Sequence, residues 1–171
     1  MHSRTVTEIN SLSRDEFVRV LGPVFEQSPW IAEATWPKRP FASRKRLHTA
    51  LCETVASADP EKQLALIRAH PDLAGRLAAG GALTGESTRE QADAGLDRLT
   101  PEETGLFQKN NAAYRAKFGF PFVICARLNR KDAILNGFRA RLPNSREQEI
   151  QTALQEIFKI AELRVNDLIS D

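Results

Sequence analysis

Three polar residues, His70, Glu90 and Arg164, are of the types that handle a small anionic substrate at neutral pH. Histidine titrates near neutral pH and can exchange a proton, and a carboxylate can orient the imidazole ring. Arginine holds a carboxylate or a developing oxyanion through two parallel N–H donors. The set is compatible with acid–base catalysis, which the residue types by themselves do not establish.

Each of the three residues also has an ordinary structural interpretation. His70 precedes Pro71, so it is expected at a bend where a helix ends, and a histidine there interacts favourably with the helix dipole. Glu90 stands three residues after Ser87, and this spacing predicts a capping box that stabilises a helix start. Arg164 falls within an apolar stripe, where its stem can pack while its charged head reaches solvent.

Length and composition describe an ordinary globular chain. The 171 residues are 42% hydrophobic and 27% charged, which fits a single domain, residues 1–171, that buries its own core. The 24 basic and 22 acidic residues leave a net charge of +2, and the basic residues are scattered in short clusters. A nucleic-acid footprint needs a concentrated basic stripe, so we expect no nucleic-acid partner.

The cysteines and the apolar runs indicate the compartment. Cys52 and Cys125 lie in apolar surroundings without metal-ligand spacing, which is typical of a reducing environment. The first dozen residues lack the apolar core of a signal peptide, and no run approaches the roughly 20 apolar residues of a membrane span. We therefore expect a cytoplasmic protein with no membrane partner.

The motifs that bind common cofactors are missing from the sequence. It contains no Gly-rich phosphate loop, no nucleophile elbow and no His-Glu-x-x-His motif, and no cysteines and histidines stand at metal-ligand spacing. We therefore expect neither a metal nor a nucleotide cofactor.

Capping residues and apolar periodicity predict an all-α fold. A Ser or Thr that precedes an apolar stripe, often with Glu three residues later, marks a helix start. Such starts are predicted at Ser13, Ser43, Ser87, Thr100 and Ser145. The chain is therefore predicted to form a single-domain bundle of about eight helices.

Two stretches depart from this pattern. Residues 120–126 form a short apolar run with a proline, which predicts an extended segment without a partner strand. After His70, a short Ala- and Leu-rich helical piece is predicted from Asp72 to Gly80-Gly81. The freedom of these glycines makes the following residues, 83–86, the expected mobile loop.

Several motifs resemble one protein family. They are Trp30 with Arg39-Pro40-Phe41, Ala69-His70-Pro71-Asp72-Leu73-Ala74-Gly75, Ser87-Thr88-Arg89-Glu90-Gln91 with Ala94-Gly95-Leu96, Asn110 to Tyr114 leading into Lys117 to Ile124, and Arg164. Over the chain from about Phe17 to Leu168 these motifs resemble the 2-oxo-4-hydroxy-4-carboxy-5-ureidoimidazoline (OHCU) decarboxylases. The motifs around His70 and around Pro121 are the specific part of this resemblance.

The resemblance implies a fold and a reaction. Members of this family are all-helical homodimers that act without a cofactor. They convert OHCU to (S)-allantoin and CO2, the last step from urate to allantoin. A small-molecule substrate and a homodimer are therefore the partners that the resemblance implies.

The resemblance also implies roles for individual residues. His70 would donate a proton, Glu90 would lie near it and Arg164 would face the anion, so these three form the implied catalytic set. Backbone groups of residues 122–126 would hold the flat ring of the substrate. The implied substrate-binding residues are Pro71, Ser87, Thr88, Arg89, Glu90, Gln91, Phe122, Val123, Ile124, Cys125 and Ala126.

Two other functions stay open at this point. The chain could be a non-catalytic helical binding module that shares the fold, or a related acid–base lyase that acts on another ureido or imidazolone acid. In an enzyme the three polar residues must converge on one pocket, whereas in a binding module they could be dispersed or buried as packing.

Overall fold

Helices make up most of the chain in the computed structural model, which describes residues 3–74 and 83–171. Within these two ranges there are nine α-helices, three short 3₁₀ helices and two very short strands, so the all-α prediction is confirmed. The elements in chain order are β1 Arg4–Thr5, α1 Val6–Ser11, α2 Arg14–Leu21, a 3₁₀ helix Gly22–Val24, α3 Trp30–Thr35, a 3₁₀ helix Trp36–Lys38, α4 Arg44–Ala56, α5 Pro60–Arg68, α6 Gly85–Asp93, α7 Pro101–Phe118, a 3₁₀ helix Ala126–Leu128, α8 Lys131–Arg141, α9 Arg146–Leu168 and β2 Ile169–Ser170.

The chain divides into two compact units. The first unit contains the chain up to Leu66 together with Phe158–Asp171, and the second contains Ile67–Ile157. The single domain over residues 1–171 remains a prediction. No helix in the described part of the chain is long and apolar enough to cross a membrane.

In the first unit, local capping signals place the helices as the sequence predicts. The side chain of Ser13 accepts the backbone N–H of Glu16, and Ser43 caps α4 in the same way. The helices bury one apolar face each, because residues three and four apart share a face. The fully buried apolar side chains include Phe17, Leu21, Ile31, Leu47, Leu51 and Val55.

The second unit is built around an aromatic cluster on one face of α7. A capping box at Thr100 starts this helix, and Gly119, with φ of 77°, ends it in the left-handed conformation that glycine adopts without strain. The ring of Tyr114 packs edge-on against Phe122, with 5.2 Å between ring centroids, and Phe122 stacks on Phe138 at 4.0 Å. The cluster fixes α7 and α8 against the segment that follows Gly119.

That segment confirms the expected break in the helical pattern. Residues 121–125 have no regular secondary structure, and a 3₁₀ helix, Ala126–Leu128, follows. Gly137 of α8 leaves room for this segment, since a Cβ atom there would lie 3.3 Å from the ring of Phe122. The close approach holds the irregular backbone against the helix.

Three sequence-based expectations about local structure need correction. Helix α6 begins at Gly85 and is capped by Thr84, so Ser87 lies inside the helix and does not cap it. For the same reason the loop expected over residues 83–86 is wrong for its second half, which is helical. The helical piece expected from Asp72 is not helical at Asp72–Ala74, and the rest of it, with Gly80-Gly81, lies outside the described residues.

The two strands are a feature that the sequence analysis missed. Arg4 and Thr5 pair in parallel with Ile169 and Ser170, so the two ends of the described chain meet. Two-residue strands are too short to give an alternating hydrophobic pattern, and their pairing depends on contacts between distant parts of the chain.

Candidate active site

His70 lies two residues beyond the end of α5. Its backbone N–H donates to the carbonyl oxygen of Ile67 at 3.2 Å, which continues the helical turn, and the residue is only 6% exposed. Pro71 follows and has no N–H to donate, so the helix ends here, as the sequence indicates. The backbone of His70 is thereby bound to the last turn of the helix.

The segment that follows His70 is held by two residues of α7. Nε of Arg115 donates to Oδ1 of Asp72 at 2.8 Å. Nδ2 of Asn111 donates to the carbonyl oxygen of Leu73, also at 2.8 Å. Asn111 and Arg115 are four residues apart and therefore lie on the same face of α7. This face of α7 fixes the position of the chain directly after His70.

Gln91 of α6 holds the same segment from another helix. Its Oε1 accepts the backbone N–H of Ala74 at 3.1 Å, and its Nε2 donates to the carbonyl oxygen of Asp72 at 3.4 Å. Ala74 has φ of 51°, a left-handed conformation that a non-glycine residue adopts only under restraint. Both ends of the Gln91 amide are thus engaged with the backbone next to His70.

Helix α6 presents the other predicted residues of this stretch in different environments. Thr84 accepts the backbone N–H of Ser87 at 3.2 Å, and the hydroxyl of Thr88 donates to the Thr84 carbonyl at 3.0 Å. Ser87 is buried, Glu90 is half-buried, and Thr88 and Arg89 are exposed. The buried face of the helix therefore carries Ser87, with Glu90 three residues further along the same face.

The backbone of Cys125, in the irregular segment, hydrogen-bonds to two polar side chains. Its backbone N–H donates to Oε2 of Glu156 at 2.8 Å, and its carbonyl accepts Nδ2 of Asn129 at 2.9 Å. Burial raises the pKa of the Cys125 thiol, and the negative charges of Glu156 and Glu90 raise it further. Helix α6 also packs against the 3₁₀ helix Ala126–Leu128. Glu90 and the predicted ring-binding segment are therefore neighbours.

A buried polar network holds the other end of this segment. Nη1 of Arg141 donates to the carbonyl of Val123 at 2.7 Å, and its Nε donates to Oε1 of Glu149 at 2.8 Å. The hydroxyl of Tyr114 donates to the same Glu149 oxygen at 2.5 Å. Burial and this bond raise the pKa of Tyr114, so the phenol stays protonated. The guanidinium of Arg141 also lies 4.2 Å from the ring centroid of Phe122.

These hydrogen bonds occupy several backbone groups of residues 122–126, and those groups are not available to bind a ligand. The carbonyl of Val123 and both backbone polar groups of Cys125 are already used within the chain, and the carbonyl of Ala126 accepts the N–H of Asn129 at 3.1 Å. The N–H groups of Ile124 and Ala126 are not part of these bonds. A backbone fixed on both sides can offer such groups to a ligand without further ordering.

Arg164 lies on α9 in the first unit and is 4% exposed. Its Nη2 contacts Oε1 of Glu26 at 2.8 Å, and its Nη1 donates to the carbonyl oxygens of Pro23 and Val24 at 3.3 and 3.4 Å. The head group is therefore buried and ion-paired, which excludes the interpretation that it reaches solvent. Glu26 itself is 2% exposed, so both charges of the pair are removed from water.

The predicted site residues are divided between the two units. His70, the segment 87–91 and the segment 122–126 all belong to the second unit, whereas Arg164 belongs to the first. Among the described residues, no group of three His, Cys, Asp or Glu side chains is placed to hold a metal ion.

Several residues around the site were not found by sequence reasoning. The sequence pattern does mark Asn111, because it is a polar residue four positions after Phe107 on the apolar face of α7. Arg115 follows Asn111 by four residues, which is the spacing of neighbours on one helix face. No sequence pattern marks Arg141 and Glu156, because their partners, the carbonyl of Val123 and the N–H of Cys125, are backbone groups distant in sequence.

The family model described as OHCU decarboxylase matches residues 10–166 of the chain. The chain belongs to the OHCU decarboxylase family. A protein named OHCU decarboxylase from Halalkalicoccus jeotgali is 44% identical over 164 residues, covering 96% of this chain and 91% of that protein. A second protein of that name, from Amia calva, is 45% identical over 162 residues, covering 95% of this chain and 93% of the relative.

Two solved structures are similar to this chain in fold. A crystal structure of (S)-allantoin synthase is 28% identical with a TM-score of 0.78, and the match covers 96% of this chain. This chain matches about half of that protein, 54% of its length. A structure of an OHCU decarboxylase in the presence of (S)-allantoin shares the fold, with a TM-score of 0.70 and 23% identity, covering 92% of this chain and 99% of the other.

Proposed function

We propose that this protein decarboxylates OHCU to (S)-allantoin and CO2 and so completes the conversion of urate to allantoin. The observation that carries the proposal is its identity of 44–45%, over nearly the full length of both chains, with proteins that bear the name of this activity. The names in the solved structures, (S)-allantoin synthase and OHCU decarboxylase, support the same assignment.

The substrate supplies its own electron sink. When the bond from the ring carbon to the carboxylate breaks, its electron pair moves toward the neighbouring ring C=N group. The nitrogen of that group takes the displaced electron pair and one proton, the hydroxyl gives up its proton as it becomes the carbonyl of the product, and the former C=N carbon gains a second proton. The reaction therefore needs neither pyridoxal phosphate nor thiamine, and the protein has to position the substrate and deliver one proton to one face.

His70 is the general acid in this proposal. It lies at a bend, nearly removed from solvent, on a backbone that α6 and α7 hold in place. A fixed imidazole can deliver its proton to one face only, which accounts for a chiral product. Glu90 orients the imidazole, and its closeness to Cys125 places its carboxylate beside the segment proposed to hold the ring.

Apart from Gln91, the remaining predicted residues are proposed to bind the substrate. Pro71 lies beside His70, and the backbone N–H groups of Ile124 and Ala126 are available to donate hydrogen bonds to the amide edge of the ring. The buried hydroxyl of Ser87 lies on the same helix face as Glu90. Arg164 is proposed to face the anionic group of the substrate in addition to binding Glu26.

Gln91 acts indirectly in this proposal. Both polar atoms of its amide bind the backbone of Asp72 and Ala74, so it positions the segment after His70. Its substitution is therefore expected to lower the turnover number more than the substrate affinity.

The protein is further proposed to be a cytoplasmic homodimer that folds as one domain. Two large apolar side chains, Leu106 and Leu128, are 47% and 59% exposed in the isolated chain, and both belong to the second unit. Both cysteines are free, which suits a reducing compartment. Sedimentation equilibrium should give twice the chain mass, and a monomer at micromolar concentration would contradict the dimer.

Freshly prepared OHCU tests the proposed activity directly. Protonation of a planar intermediate in water favours neither face, so the enzyme must both accelerate the loss of OHCU and produce the S enantiomer. Ultraviolet absorbance gives the rate, and circular dichroism gives the chirality of the product. A racemic product formed at the spontaneous rate would contradict the proposal.

A further inference from the structure

Asn111 contains a buried polar atom that the fold does not satisfy. The residue is 5% exposed, and its Nδ2 donates to the carbonyl of Leu73 at 2.8 Å. Its Oδ1 is the one buried side-chain nitrogen or oxygen atom, among the described residues, that lacks a hydrogen-bond partner. An unpaired acceptor that has lost its water costs folding free energy, so such an atom in a native protein calls for an explanation.

The position of Asn111 suggests the explanation. The bond to Leu73 places one end of the amide three residues after His70. One turn further along α7, Tyr114 packs against Phe122, where the segment 122–126 begins. Asn111 is therefore on the face of α7 that carries both parts of the proposed site, and its carbonyl oxygen is the atom left over.

The chemistry of the proposed substrate complements this oxygen. A ureido group carries several N–H donors, and each must find an acceptor when the ligand leaves water. Glu90 is one acceptor in the predicted set, but it is engaged with its own surroundings and is proposed to orient His70. A neutral amide oxygen accepts such a donor without adding a second negative charge near the substrate's carboxylate.

We propose that Oδ1 of Asn111 accepts a hydrogen bond from an N–H of the substrate's ureido group. This inference rests on the proposed function and adds a substrate-binding residue to it. The same amide then holds the Leu73 carbonyl through one end and the ligand through the other. Bound substrate and the backbone next to His70 are thereby kept in fixed relation.

Two substitutions compare loss of the amide with its retention. Asn111→Gln keeps both the acceptor oxygen and the NH2 donor to the Leu73 carbonyl, whereas Asn111→Ala removes both ends of the amide. We expect Asn111→Ala to raise the KM for OHCU about tenfold, and Asn111→Gln to stay within about threefold of the unchanged protein. Lys109→Ala, an exposed change on the same helix, is the matched control and should alter neither constant.

The outcomes distinguish three cases. An unchanged KM in Asn111→Ala, or equal increases in the Ala and Gln variants, would overturn the inference while the wild-type rate upholds the proposed function. A wild-type protein without activity on OHCU would overturn both. If circular dichroism shows that Asn111→Ala is unfolded, Asn111→Leu, which fills the same volume without an acceptor, replaces it with the same expectation.

Discussion

At the scale of single residues, Arg164 shows how one side chain can be important for two reasons. Its guanidinium binds Glu26 at 2.8 Å and two backbone carbonyls next to a 3₁₀ helix. A buried charge of this kind lowers the free energy of unfolding if it is left unpaired, so the residue matters for folding whether or not it contacts the substrate. The two roles can be separated only by comparing stability with substrate affinity.

Replacement of Arg164 by lysine tests these roles. Lysine keeps the charge but loses the planar fork of donors, so we expect the free energy of unfolding to fall by about 2–4 kcal/mol and the KM for OHCU to rise about tenfold. Glu26→Gln is the matched control, because it disturbs the same ion pair and leaves the guanidinium in place. Urea titration and steady-state kinetics measure the two effects. If both variants lose stability and neither changes the KM, Arg164 belongs to packing alone.

Cys52 is expected to be an unreactive thiol. Burial raises its pKa from 9.0 to about 12, and the charges of Glu162 and Glu53 raise it further. At pH 8.5 the thiolate fraction is then about a thousandfold lower than in the unfolded chain, and iodoacetamide should react with the folded protein slower by a similar factor. Mass spectrometry of Cys52 peptides, with the urea-unfolded protein as reference, measures the two rates.

The sign of the accompanying stability effect follows from the raised pKa. The folded protein holds the Cys52 proton more tightly than the unfolded chain, so this contribution to stability is complete below pH 9 and is lost as the pH rises toward 12. A reaction rate within tenfold of the unfolded reference would show that the thiol is not protected in this way.

At the scale of elements, the start of α6 shows where local signals become ambiguous. Thr84 and Ser87 are both good capping residues, and Ser87 also has Glu90 at the spacing of a capping box. The structure starts the helix at Gly85 with Thr84 as the cap. An earlier start adds a turn to the helix and leaves Ser87 buried on the face that carries Glu90. The sequence analysis predicts the later start because Glu90 follows Ser87 at capping-box spacing.

Substitution of the cap tests this start directly. Thr84→Ala removes the oxygen that accepts the Ser87 N–H at 3.2 Å, so we expect a loss of about 1 kcal/mol in the free energy of unfolding. Thr84→Ser keeps the oxygen and should cost little. Urea denaturation of the two variants measures the difference. Equal stabilities would indicate that Thr84 does not cap α6.

At the scale of the whole molecule, most of the fold could be predicted because its signals are local. The caps at Ser13, Ser43 and Thr100 lie within three residues of the groups they bind, and apolar stripes need only one helix to be recognised. The parallel pairing of Arg4 with Ile169 joins residues far apart in sequence, and no local pattern marks it. The part of the fold that the sequence did not predict is therefore the pairing of residues that are distant along the chain.

The candidate site divides in the same way. His70, Glu90 and the segment 122–126 are candidates proposed from motifs, because these residues are contiguous or fit a resemblance. Two of the residues that hold them, Arg141 and Glu156, bind backbone groups 18 and 31 positions away. A side chain that binds a distant backbone group leaves no spacing rule in the sequence, so these positions become evident only in the structure.

In the proposed reaction, His70 delivers the proton that completes OHCU decarboxylation. The most direct test compares turnover of fresh OHCU by His70→Asn with that of His48→Asn, a half-buried histidine of α4 that contacts the Phe158 carbonyl at 2.9 Å. We expect the first variant to lose at least about 100-fold in kcat while it stays folded, and the second to keep its rate and its S product. Normal turnover by folded His70→Asn would contradict the claim.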